Sequence, residues 1–199
     1  MRPLSQTLIA AALILTPAIA QATAPAPVQA GAYNVEPSHT RVQFAVSHMG
    51  FSDWYGDFTG VTGTLSLDPK AVAKSKVDIT IPVTSVSTTN TTLDGELKSK
   101  DWLDAGQFAT IHFVSTGVKQ TGARSALISG NLTLHGVTKP VVLKASFNGS
   151  GVNPLSKGYT VGFNATTSIL RSDYGVKTYL PLIGDAVTIR ISAAFEKAQ

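Results

Sequence analysis

Apolar side chains recur at every second position along most of this chain, and that period limits what it can fold into. Val42, Phe44 and Val46 alternate with Arg41, Gln43 and Ser47, and Val77, Ile79 and Ile81 alternate with Lys76, Asp78 and Thr80. Ile111 and Phe113 share a face, and Val141, Leu143, Ala145 and Phe147 alternate with Val142, Lys144 and Ser146. Tyr159, Val161, Phe163 and Ala165 make a face that continues through Thr167 and Ile169. Val187, Ile189, Ile191, Ala193 and Phe195 make another. Successive side chains of a strand point to opposite sides, so a period of two buries one face of a sheet and leaves the other in water. The many valines and threonines suit a pleated surface. Asp68-Pro69, Thr121-Gly122, His135-Gly136, Asn148-Gly149 and Lys157-Gly158 carry turn chemistry between the runs.

One stretch breaks the period. From Asn90 to Leu103 the apolar residues Leu93, Leu97 and Trp102 fall near helical spacing among Asp94, Glu96, Lys98 and Lys100. This predicts a short helix or helical turn capped by Asn90 or Thr92. Roughly eight to nine strands with one short helix make an all-β fold. A closed antiparallel barrel of about eight strands is expected, with a two-sheet sandwich as the alternative. The long strands favour the barrel, because closure removes their exposed edges.

The first twenty residues read as a secretory signal peptide. Arg2 is followed by the unbroken apolar run Leu8–Leu15, and Ala18-Ile19-Ala20 supplies the small-x-small cleavage pattern. That run is far short of the roughly 20 apolar residues that span a bilayer, so no transmembrane segment is expected. The expected organisation is a signal peptide over 1–20, a Pro/Ala-rich linker over 21–30 and one domain over 31–199. There is no cysteine, hence neither a lipid attachment site nor a disulfide. The formal net charge of +4 comes from scattered lysines and arginines. A nucleic-acid surface would cluster them with aromatics, so nucleic acid is not an expected partner.

Chemistry is sparse. His39, His48, His112 and His135 show no metal-ligand spacing, and no metal is expected. There is no Gly-x-Ser-x-Gly, and Gly60-Val61-Thr62-Gly63 lacks the rest of a phosphate cradle. Those two glycines fit a bulge or barrel corner better. Asp101 and Asp104 could serve as paired carboxylates, but they better suit a turn that holds Trp102 and Leu103 inward. Arg171-Ser172-Asp173-Tyr174-Gly175 sets a charge pair and an aromatic at the end of a long strand. It reads equally as an ion pair closing a barrel end or as a contact for a polar head group. Small residues on strands (Ala45, Gly130, Ala145, Gly162 and Ala165) could leave interior room unfilled.

Four segments in order resemble the YceI-like family of periplasmic lipid-binding proteins. The first is Tyr33-Asn34-Val35-Glu36-Pro37-Ser38-His39-Thr40-Arg41-Val42-Gln43-Phe44, continuing through Val46-Ser47-His48 to Gly56-Asp57-Phe58-Thr59-Gly60. The second runs from Leu93 to Leu103, ahead of Ile111-His112-Phe113-Val114-Ser115. The third is Gly130-Asn131-Leu132-Thr133-Leu134-His135-Gly136-Val137-Thr138-Lys139-Pro140-Val141. The last is Arg171-Ser172-Asp173-Tyr174-Gly175 with Val187-Thr188-Ile189. The resemblance covers about Tyr33 to Glu196. It implies an eight-stranded, lipocalin-like barrel with a helix, enclosing an apolar tube for isoprenoids or other long-chain amphiphiles, isoprenoid quinones among them. Many relatives carry Arg-Asp-x-His-Leu in the helix, where this chain has Leu93-Asp94-Gly95-Glu96-Leu97. Relatives often have Asp-Phe-Phe where it has Asp101-Trp102-Leu103.

The expected function is therefore non-catalytic: a periplasmic carrier or store of a long-chain lipid, with no cofactor beyond such a bound isoprenoid or quinone. Transient contact with a membrane protein would accompany transfer. The tail would lie against Phe44, Trp54, Phe58, Trp102, Phe113, Phe163 and Tyr179. The head group would meet Arg171, oriented or neutralised by Asp173, with His48 as a second contact. The alternatives are an enzyme acting on a lipid or sugar through Asp and His, and a filled barrel that binds another protein.

Overall fold

The computed structural model describes residues 27–199; the segment read as a signal peptide and the first part of the linker lie outside them. Ten strands and one α-helix follow: β1 (Gly31–Val35), β2 (Arg41–His48), β3 (Ser52–Phe58), β4 (Thr62–Leu67), β5 (Lys76–Pro82), α1 (Thr91–Lys98), β6 (Thr110–Gly122), β7 (Ser125–Leu134), β8 (Val137–Val152), β9 (Tyr159–Leu170) and β10 (Ile183–Lys197). All ten strands form one sheet in the order β1-β4-β5-β6-β7-β8-β9-β10-β2-β3, and β1 also pairs with β10. That pairing closes an antiparallel ring of eight, with β2 and β3 as two further strands in the wall. The barrel, not the sandwich, is the fold.

The strand count exceeds the sequence reading because one wall position is divided. β1 and β2 lie end to end along the same edge of β10, with Val35 opposite Phe195 and Arg41 opposite Ser192. Residues 36–40 leave the sheet between them. Pro37 opens a 3-10 turn, and the Glu36 carboxylate caps it by accepting from the Ser38 and His39 amides at 2.9 Å each. Ala194 of β10 faces this gap. Its carbonyl accepts from the Glu36 amide (2.9 Å) and the Thr40 hydroxyl (3.2 Å), and its amide donates to that hydroxyl (3.0 Å). Buried backbone groups need partners, and here a threonine side chain replaces a missing strand.

At the other end of the barrel, β3 has no strand on its outer side among the described residues. Asp57 and Ser87 exchange two backbone hydrogen bonds (2.8 and 2.9 Å), and the chain then turns into α1. The Asn90 side chain caps α1 by accepting from the Thr92 and Leu93 amides (3.1 and 3.2 Å). Asp94, in the first helical turn, accepts from the Thr88 amide (2.6 Å) and hydroxyl (2.7 Å), tying the helix to the strap before it.

Two expected turns fall elsewhere. Asn148-Gly149 lies inside β8, at a register shift against β9. The β8–β9 turn comes later, where the Asn153 side chain accepts from the Leu155 amide at 2.9 Å. Gly122 still belongs to β6, and Ala123-Arg124 makes the turn.

The apolar face of each run points inward, while on the outer surface Arg41 forms an ion pair with Asp57 and His112 Nε2 lies 2.7 Å from Asp78 Oδ1. Some glycines house rings rather than leave space. A Cβ on Gly56 would stand 2.3 Å from the Phe44 ring, and one on Gly130 would stand 2.4 Å from the Phe113 ring. Ala45 and Gly162 are out of phase with their inward neighbours and do not face the interior, so of the five small residues only Ala145 and Ala165 leave room there.

Two outcomes follow for stability. Gly56→Ala should destabilise by about 1–3 kcal/mol through overpacking, and adding Phe44→Leu should recover part of the loss; additive melting-temperature shifts would contradict this contact. Hydrogen bonds from the Thr88 hydroxyl and then its amide hold the Asp94 pKa below the usual carboxylate range. A depressed folded-state pKa means the anchoring is complete above that range and fades as pH falls through the lowered value. Hydrogen exchange of the α1 amides should accelerate in acid, and Asp94→Asn should remove that dependence.

Candidate functional site

The inward faces do not fill the barrel. They surround a cavity of about 760 Å³. Folded interiors contain few voids larger than a water, whereas ligand pockets typically measure about 300–1,000 Å³. Each strand run contributes: Val42, Phe44 and Val46 from β2, Val77, Ile79 and Ile81 from β5, Leu143 and Ala145 from β8, Ala165 and Ile169 from β9, and Ile189 and Ile191 from β10.

One end is sealed. Phe163, Phe195 and Leu65 are the last side chains to touch the cavity, and beneath them Tyr33 and Val161 are 0% exposed. The other end is open. Every exposed residue of the lining belongs to the β2–β3 hairpin (Met49, Trp54), to α1 and its cap (Asn90, Thr92, Glu96), or to the loop before β10 (Tyr179, Leu182). The hairpin and that loop are joined by the Met49 amide donating to the Leu182 carbonyl at 2.8 Å. Phe51, at the hairpin tip, is 87% exposed.

The charged lining side chains, Arg171 and Glu96, lie at this mouth. Arg171, 5% exposed, follows β9 in a short 3-10 turn. Its Nε donates to the Gly184 carbonyl (2.9 Å), Nη1 to Val176 (3.0 Å) and Nη2 to Ile183 (2.9 Å). One guanidinium thereby clamps both ends of the mouth loop. It carries five N–H groups, so two remain beyond these bonds. Its charge centre lies 5.2 Å from the centroid of the Trp102 ring, whose Nε1 donates to Glu96 at 3.2 Å. Burial lowers the Arg171 pKa from the ordinary arginine range, and the nearby Asp185 carboxylate opposes that shift. Asp185 itself accepts from the Ser172 hydroxyl (2.6 Å) and amide (2.9 Å); those bonds, and then Arg171, hold its pKa below the usual carboxylate range.

Phe44, Trp54, Phe58, Trp102, Phe113, Phe163 and Tyr179 all line the cavity, as do Arg171 and His48. Asp173 does not. It is exposed, and the acid beside Arg171 is Asp185, carried to it by β10 rather than by adjacency in sequence. The expected Arg171–Asp173 pair is therefore corrected. Asp101 and Asp104 also lie outside the lining: the Asp101 carbonyl accepts from the Thr178 hydroxyl, and the Asp104 carboxylate accepts from the Gln107 amide. Of the other histidines, His39 pairs with Glu36, His112 with Asp78, and His135 Nδ1 lies 3.0 Å from the Tyr174 carbonyl oxygen. Glu96, Met49 and Leu182 were missed. Glu96 follows Leu93 by three positions, so helical spacing had placed both on one face.

A family model for the YceI-like domain matches residues 33–195. A UPF0312 protein of Pseudomonas savastanoi pv. phaseolicola is 40% identical over 164 residues, covering 82% of this chain and 83% of that protein. Another, from Pseudomonas fluorescens, is 42% identical over 169 residues, covering 82% and 85%. Among solved structures, Burkholderia cenocepacia BcnA superposes with a TM-score of 0.73 at 22% identity, over 80% of this chain and 98% of that one. A polyisoprenoid binding domain from Saccharophagus degradans superposes with a TM-score of 0.66 at 12% identity, over 85% and 100%. With the barrel, its helix and its cavity in hand, the match across almost the whole described domain makes this chain a member of the YceI-like family.

Proposed function

We propose that this protein is an exported, periplasmic, non-catalytic binding protein that holds an isoprenoid or similar long-chain amphiphile, an isoprenoid quinone being one such ligand. The observation that carries this reading is the shape of the cavity: about 760 Å³, apolar along most of its length, sealed at one end, with charged side chains only at the open one. Such a space suits a molecule that is apolar over most of its length and polar at one tip. Each buried methylene contributes roughly 0.8 kcal/mol, so a five-carbon unit contributes a few kcal/mol before ordering costs. The tail enters first, along Phe44, Phe58 and Phe113, and the head group stays among His48, Glu96 and the free N–H groups of Arg171. The polyisoprenoid-binding relative in fold supports the ligand class.

Export rests on Arg2, Leu8–Leu15 and Ala18-Ile19-Ala20. No helix among the described residues is long and apolar enough to cross a membrane. The exposed Met49, Phe51, Tyr179 and Leu182 around the mouth suit brief contact with a membrane or membrane protein during transfer.

Native mass spectrometry of protein purified from its exporting host should show a bound long-chain lipid. Stripping the lipid should lower the melting temperature, since saturation at a hundredfold over Kd adds about 2.7 kcal/mol. A lipid-free protein whose melting temperature ignores added prenyl alcohols would sink the proposal.

Arg171→Lys tests the clamp. Lysine keeps a charge but cannot span three carbonyls, and each unpaired buried carbonyl costs about 1–3 kcal/mol. The variant should melt well below wild type and exchange the amides of 176–183 faster. Unchanged melting would remove Arg171 as the support of the mouth.

A further inference from the structure

The floor of the cavity changes width abruptly along three neighbouring strands. Ala145 of β8 stands directly opposite Ala165 of β9, and both line the cavity. One strand step deeper, Phe147 stands opposite Phe163, which in turn faces Ala193 of β10. Paired alanines are thus followed at once by paired phenylalanines. The Phe163 ring is held from two sides: its centroid lies 5.5 Å from that of Phe147, and 6.1 Å from that of Phe195 in an edge-on arrangement. The fully buried Val161 and Tyr33 back this cluster, so the ring has no space into which to withdraw.

The geometry points to a molecular ruler: Phe163 is a hard stop that sets the longest apolar chain the barrel accepts, and Ala145 with Ala165 shape the last segment to be filled. This inference deepens the proposed lipid-binding function and rests on it. A tail that ends beside the two alanines is buried throughout. A longer one meets the Phe163 ring and must leave methylenes outside the mouth, in water. Because close-packed cores deform little, the discrimination is stepwise. It belongs to these three positions, with Phe195 and Leu65 completing the floor, and not to the aromatics nearer the mouth, which a tail of any length would pass.

The test is competition among farnesol, geranylgeraniol and solanesol at equal concentration, with bound species read by native mass spectrometry. Wild type should retain a characteristic length. Phe163→Ala should raise the ratio of longer to shorter bound alcohol by about tenfold, since burying roughly two more methylenes suffices for that factor. Ala165→Leu should move the ratio the opposite way. Phe163→Leu and Ala145→Leu are milder versions, and thermal melts of all four identify any variant too destabilised to score. Opposite shifts from the deeper and shallower positions support the ruler, since general loosening of the barrel would move both the same way. A wild-type length profile in the folded variants overturns the ruler alone. Failure of wild type to bind any of the alcohols overturns the lipid-binding function and the ruler together.

Discussion

The hydrogen bonding of β10 governs the rest of this molecule. The strand is 15 residues long, and its edge away from β9 must be satisfied along nearly all of that length. No single strand does so. β2 serves the first part and β1 the last, with the Thr40 hydroxyl covering Ala194 between them. The division makes the two ends of the barrel different. At the β1 end eight strands close into a ring whose interior side chains can fill it, as rings of that size do. At the β2 end the wall is completed by β3, a short strap and α1, and there the interior opens. A sealed floor and an open mouth both follow from one broken strand.

Much of this was legible in the sequence. The period-two runs identified the inward faces, and the switch to helical spacing located α1, with Asn90 as its cap. Phase also sorts the small residues. Ala45 sits between Phe44 and Val46, so alternation alone puts it on the outside. The strand count was less accessible, because the link at 36–40 is brief and both flanking runs alternate. Asn148-Gly149 has turn composition, yet β9 pairs on both sides of it, and the ladder absorbs the irregularity as a bulge.

The mouth was the least legible part, for a physical reason. Arg171 bonds to three backbone carbonyls, a group every residue carries, so no side-chain pattern marks its partners. Adjacency suggested Asp173, whereas the acid that matters, Asp185, arrives through the pairing of β9 with β10. Lone buried charges are expensive, and this one is offset by dipoles at hydrogen-bonding distance, by an aromatic face and by a carboxylate that is itself held by Ser172. The arrangement keeps a cation beside an apolar space without neutralising it in a direct ion pair.

The sealed floor bears on how such a vessel can be used. A tube open at both ends could sit between two membranes and pass its contents straight through. A chamber with one port cannot: whatever goes in comes back out the way it went. Under the proposed function, donor and acceptor would both meet the protein at one rim, formed here by the β2–β3 hairpin, α1 and the loop before β10. For the proposed lipid-binding function, this geometry suits a shuttle better than a conduit.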